Sequence, residues 1–125
     1  MPANPMSVAD ELRNLVQRYA RGADERDLDL LASLFTDDVV IEGTRGVQTK
    51  AEWLEAMSAT PPAATSMHHM GDPLLEIDGD SAHADTYAVV YNGDMTLGMR
   101  YVDELVRQDG AWRSKASTAR MVWMR

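Results

Sequence analysis

The sequence predicts an α+β domain in which about three N-terminal helices pack on one face of an antiparallel sheet, and three observations carry that expectation. Apolar residues recur at helical spacing early in the chain, with Val8, Leu12, Leu15, Val16 and Tyr19 on one face. The run Thr60-Pro61-Pro62-Ala63-Ala64 ends the helical part, because proline cannot continue a helix and restricts the residue before it. Beyond it lie long segments joined by Asp78-Gly79-Asp80, Asn92-Gly93-Asp94 and Gln108-Asp109-Gly110, whose Gly, Asn and Asp tolerate the positive φ of hairpin turns. Helices first and strands later is the order of a domain with its helices on one face of an antiparallel sheet.

In chain order, a short tail over residues 1–6 precedes a first helix from about Ser7 to Gly22. Ser7 is a plausible N-cap, Asp10 and Glu11 sit where the helix dipole favours anions, and Gly22 is a reasonable stop. A second helix is expected from Asp27 or Asp29, carrying Leu30, Leu31, Leu34 and Phe35 and ending at Thr36-Asp37-Asp38. Val39, Val40 and Ile41 read as a short strand, and Gly43 and Gly46 bracket a turn. Thr49 and Glu52 have capping-box spacing for a third helix from about Lys50 to Ser58. Met67 to Ile77, Ser81 to Tyr91, Met95 to Arg107 and Ala111 to Trp123 then form an antiparallel meander.

The chain has 125 residues, 45% of them hydrophobic, which suits one domain over residues 7–125 with its own core. Twenty acidic against 12 basic residues give a net charge of -8, a sign that repels phosphate backbones and anionic lipids, so neither nucleic acid nor membrane is an expected partner. Without cysteine there is no disulfide framework or thiolate metal site, and a reducing compartment is the natural assumption. No basic segment followed by an apolar run opens the chain, and no stretch approaches the roughly 18 apolar residues of a spanning helix. A cytoplasmic protein is expected.

Arg18-Tyr19-Ala20-Arg21-Gly22-Ala23-Asp24, Leu34-Phe35-Thr36-Asp37-Asp38-Val39-Val40, His68-His69-Met70-Gly71-Asp72-Pro73 and Tyr101-Val102-Asp103-Glu104-Leu105-Val106-Arg107, the last leading into Asp109-Gly110-Ala111-Trp112-Arg113, form a pattern. Together these segments resemble SnoaL-like domains of the nuclear-transport-factor-2-like superfamily. The resemblance covers nearly the whole chain and implies a cone-shaped barrel in which helices close an apolar pocket. The superfamily spans dehydratases, dehydrohalogenases, isomerases, cyclases and proteins without activity, so fold alone does not select a reaction. The pattern is most similar to scytalone dehydratase and hexachlorocyclohexane dehydrochlorinase, which use an Asp/His dyad. By that resemblance the aspartate is Asp24 and the histidine is His68, eight residues before Glu76.

The chemistry of such a pair follows from side-chain properties. Histidine, with an ordinary pKa of about 6.5, accepts a proton near neutral pH at little cost. A carboxylate on its far nitrogen sets the tautomer and stabilises the imidazolium that forms, leaving the near nitrogen as a general base. In an apolar pocket that base removes a proton from the carbon next to one bearing a leaving group. His69 should point to the opposite face, since successive strand residues alternate, and the same alternation disfavours a His-His metal site.

The acid that would help the leaving group is not evident. Where scytalone dehydratase carries tyrosines the resemblance places Ala23 and Gly43, and where the dehydrochlorinase carries an arginine it places Ser117. Tyr19, Tyr91, Tyr101 or Arg120 could serve instead, each with packing or surface pairing as its ordinary role. Tyr19, Tyr91, Tyr101, Ser117 and Met70, the last one of nine methionines able to fill adaptable apolar space, are the expected substrate contacts.

The expected function is a cofactor-independent, metal-free lyase acting on a small apolar, cyclic molecule. An isomerase or polyketide-cyclase-like enzyme is the alternative within the fold, and a carboxylate base deep in the sheet would then fall to Asp103 or Asp85. A non-catalytic binding or dimerisation domain is the alternative outside catalysis. By resemblance the open sheet face pairs in a homodimer.

Overall fold

The Ser7 side chain accepts a hydrogen bond from the Asp10 amide at 3.1 Å and so starts α1 (Val8–Glu25), with Asp10 and Glu11 in its first turn. The structure is a computed structural model that describes residues 6–61 and 66–125. The expected tail therefore lies, apart from Met6, outside the described residues. No described helix is long and apolar enough to cross a membrane.

Gly22 does not stop α1. It lies inside the helix, where a Cβ would meet Leu31 Cγ and Cδ2 at 2.9 Å, so the missing side chain lets the fully buried Leu31 pack against the helix backbone. The helix ends instead at Arg26, which takes the left-handed conformation (φ 53°) and returns its amide to the Gly22 carbonyl. Its guanidinium bonds the carbonyls of Ala23 and, at 2.8 Å, Thr60, tying the ends of α1 and α3 together.

Asp27 caps α2 (Leu28–Ser33) by accepting from the Leu30 amide at 3.1 Å. The helix is shorter than expected, and Thr36-Asp37-Asp38 belong to β1 (Phe35–Gly43). The cause is long-range: the Ser114 amide donates to the Leu34 carbonyl at 2.8 Å, and Phe35 pairs with Ser114 in a parallel ladder. β1 turns through Gly46 (φ 85°) into β2 (Gly46–Gln48), a strand the sequence pattern did not mark. α3 (Lys50–Ala59) opens with the expected capping box, the Glu52 amide on Thr49 Oγ1 at 3.2 Å and the Thr49 amide on Glu52 Oε1 at 2.9 Å.

The segment expected as one strand from Met67 to Ile77 is two, β3 (Met67–Met70) and β4 (Leu74–Asp78), interrupted at Gly71-Asp72-Pro73, where proline offers no amide to a ladder. Both pair with β5 (Ser81–Asn92), which continues by hairpins into β6 (Met95–Gln108) and β7 (Ala111–Met124). The sheet runs β2-β1-β7-β6-β5-β3, with β4 also on β5, and only the β1–β7 pairing is parallel. Register shifts near Gly98/Met99 and Glu104/Leu105 bend the long strands, as bulges do. The resulting curved sheet stays open, with β2 and β3 at its ends, so the barrel does not close.

Two apolar clusters join helices to sheet. One holds Leu12, Leu31, Ala84 and Leu105, all at or below 1% exposure, and the other centres on Val16, Met70, Val90, Met99 and Tyr101. Each fully buried Leu of the first contributes about 1.5–3 kcal/mol relative to exposure. Tyr19 touches both clusters, which puts it where the helix layer opens over the sheet.

Candidate functional site

Strand alternation decides which side chains meet under the helices. On β3 the partly buried His68 lines the cavity, while His69 is exposed on the opposite face. On β5 the buried residues are Ala82, Ala84, Thr86, Ala88 and Val90, and on β6 the side chains of Tyr101 and Asp103 share that face. Ser117 of β7 sits directly across from Asp103. These strands, α1 and α3 enclose a cavity of about 250 Å³. Trp53, Met57, Phe35, Ile41, Leu97 and Met99 give it apolar walls, Tyr19, His68, Tyr101 and Ser117 give it polar groups, and Arg26, Glu42, Arg45, Gln48 and Asn92 also line it.

The Asp24 carboxylate comes from the last turn of α1 and grips the start of β3. Its Oδ2 accepts the His68 amide at 2.9 Å, and its Oδ1 lies 3.1 Å from that amide, 2.6 Å from His68 Nδ1 and 3.4 Å from Ser66 Oγ. One side chain thus fixes both the backbone and the ring of His68. The side chains are 13% (His68) and 17% (Asp24) exposed, so water screens the contact only in part. An ionised carboxylate can only accept, which puts the proton of a neutral imidazole on Nδ1 and leaves the lone pair on Nε2.

Tyr19 packs edge-on to the His68 ring at 6.0 Å, stacks on Trp53 at 6.4 Å and meets Tyr101 edge-on at 5.5 Å. Burial, aided by the nearby Asp103 carboxyl, pushes Tyr19 up to about 12. Burial and the Tyr19 hydroxyl raise Tyr101 as well, so both remain phenols at neutral pH and can donate. Behind them a smaller pocket of about 20 Å³ shares Tyr19, Phe35, Tyr101 and Ser117 with the cavity and adds Met70, Thr86 and Asp103. Burial pushes the Asp103 carboxyl up, against the opposing pull of the neighbouring Ser117 and Ser114 hydroxyls, the latter donating to Oδ1 at 2.9 Å.

The structure therefore brings together Asp24, His68, Tyr19, Tyr101 and Ser117, and sets Met70 on the inner pocket. Tyr91 does not join them. The parity that turns Val90 inward turns Tyr91 outward, 42% exposed, and Val90 and Asn92 line the cavity in its place. Arg120 is exposed. Ala23 and Gly43 both line the cavity and leave space without a hydroxyl. Ser66, the hydroxyl on Asp24, carries no mark in the sequence pattern beyond its place two residues before His68. Asp103, an alternative base on sequence grounds, lines the inner pocket. Among the described residues no three His, Asp or Glu side chains converge as a metal-ligand set.

The family profile described as a SnoaL-like domain matches residues 6–118. An uncharacterised protein of Mycobacterium tuberculosis is 28% identical over 116 residues, spanning 82% of this chain and 78% of its own length. Among solved structures, a type 2 hexachlorocyclohexane dehydrochlorinase superposes with a TM-score of 0.80 at 19% identity, over 93% of this chain and 86% of that one. A proposed scytalone dehydratase from Novosphingobium aromaticivorans superposes with a TM-score of 0.75 at 18% identity, over 93% and 85%. Both structural likenesses are likenesses of fold.

Proposed function

The chain belongs to the SnoaL-like domain family, and from that premise we propose that it is a cofactor-independent lyase whose general base is His68, oriented by Asp24. The observation that carries the reading is the 2.6 Å contact between Asp24 Oδ1 and His68 Nδ1 on the wall of a cavity of mixed apolar and polar lining. Fold likeness to a dehydrochlorinase and a proposed scytalone dehydratase supports it.

A small, cyclic substrate lies with its apolar part against Trp53, Phe35 and Met99. His68 Nε2 takes a proton from that carbon, and the electron pair of the C–H bond becomes the new π bond as the neighbouring carbon releases its leaving group. Asp24 stabilises the imidazolium that results. A positioned base of this kind contributes about 10²- to 10⁴-fold in rate. Tyr19 and Tyr101, both held as phenols, are the hydroxyls able to donate to the departing group.

Incubation with cyclic β-hydroxy and β-halo ketones, followed by enone absorbance, tests the reading. Enone formation with a primary isotope effect on the abstracted hydrogen is expected. Isomerised product without loss of a leaving group would favour isomerase chemistry, for which the partly buried Asp103 is a second candidate base. Binding without conversion across the panel would reject catalysis.

A further inference from the structure

The elimination chemistry leaves the inner pocket unused. Thr86 is 1% exposed, lines this pocket, and its Oγ1 has no hydrogen-bond partner among the described residues. A buried hydroxyl in that position keeps its desolvation cost uncompensated. Across the sheet register Thr86 pairs with Tyr101, and Asp103 pairs with Ser117, so the four side chains form one patch on the concave face. Asp103 spends one oxygen on Ser114 at 2.9 Å. The space they surround, about 20 Å³, has room for one oxygen atom with its hydrogen, and Ser117 and Tyr101 also line the cavity beside His68.

We propose that this inner pocket is a subsite for one hydroxyl group of the substrate, bound by Thr86, Ser117 and Asp103. The assignment rests on the reading of the larger cavity as the substrate site and narrows its substrates to alcohols. A hydroxyl donates and accepts at once, which suits a patch holding an unpartnered Thr hydroxyl and a carboxyl group. A carbon-bound halogen donates nothing and accepts weakly, so it would leave Thr86 and Asp103 as they are. Burial favours the protonated form of Asp103, and in that form the patch also offers the oxygen a carboxylic proton.

Binding of 2-indanol, its hydroxyl-free parent indane and 2-chloroindane, titrated by NMR against the protein, tests the assignment without requiring turnover. The alcohol is expected to bind about tenfold tighter than either comparison molecule, the size of effect that pairing one buried polar group supports. Thr86→Val removes a hydroxyl with no partner to lose and keeps the shape, so it folds; it and Ser117→Ala should each abolish most of that preference while leaving indane affinity within about twofold. Equal affinities, or a preference that survives both substitutions, would overturn the subsite and assign the pocket to a resident water. Absence of binding by all three probes at about 1 mM overturns it too. An alcohol preference without any elimination activity would reject the proposed function and keep the subsite, whereas elimination without the preference would reject the subsite alone.

Discussion

Asp24→Asn is the substitution whose consequences can be worked furthest. The carboxylate makes a charge-assisted contact to His68 Nδ1 at 2.6 Å, holds the His68 amide at 2.9 Å through Oδ2, and reaches Ser66 at 3.4 Å. Hydrogen bonds to a charged group contribute about 1.5–3 kcal/mol, and a neutral amide oxygen recovers about 0.5–1.5 kcal/mol of that. The net loss is about 1–2 kcal/mol, a fall in Tm of roughly 4–8 °C for a domain of this size. The larger effect is on the ring. An asparagine that keeps its oxygen on the His68 amide presents its NH2 to Nδ1, which must then accept, so the proton moves to Nε2 and the base is lost. Long-range ¹⁵N–¹H NMR of the imidazole reads this directly. The wild type should carry its proton on Nδ1 when neutral and the variant on Nε2. An Nε2 proton in the wild type, or an unchanged tautomer in the variant, would refute the reasoning.

Three further outcomes follow from local geometry. Gly22→Ala places a Cβ at 2.9 Å from Leu31, so overpacking of about 1–3 kcal/mol should outweigh the roughly 1 kcal/mol gained in helix propensity, and chemical denaturation should report a net loss. Thr49→Ala breaks the capping box of α3 and should cost about 1 kcal/mol by the same assay. Asp103 has a folded pKa raised above its unfolded value of about 3.9, so it binds its proton more tightly in the fold. Its stabilising contribution is complete below the unfolded value and is lost as pH rises through the folded value. Asp103→Asn should therefore gain stability on the wild type in thermal melts as pH rises from the unfolded value of about 3.9 through the folded one. A gap that stays constant with pH would contradict the buried-acid assignment.

Features set by neighbours in sequence were legible. Ser7, Thr49 and Glu52 cap their helices as read, and Gly79, Gly93 and Gly110 take positive φ in the hairpin turns. Alternation from a single strand assignment was enough to send His68 inward and His69 outward. What escaped depended on distant partners. Gly22 looked like a stop because only Leu31, packed on it from α2, explains a glycine inside α1. Thr36-Asp37-Asp38 looked like a helix end because β1 is held by a parallel edge on β7, contributed by residues far along the chain. Tyr91 was placed one residue out of phase with the inward set of β5. The patch of Tyr101, Asp103, Ser117 and Thr86 needs the cross-strand register of three strands at once, which no single segment reveals.

The most direct test of the Asp24–His68 account is turnover of one activated elimination substrate by the wild type, His68→Ala and Asp24→Asn, each checked for retained fold by circular dichroism. Both variants are expected to lose about 10²- to 10⁴-fold in kcat while remaining folded. Turnover retained in both folded variants would contradict the assignment of His68 as the base.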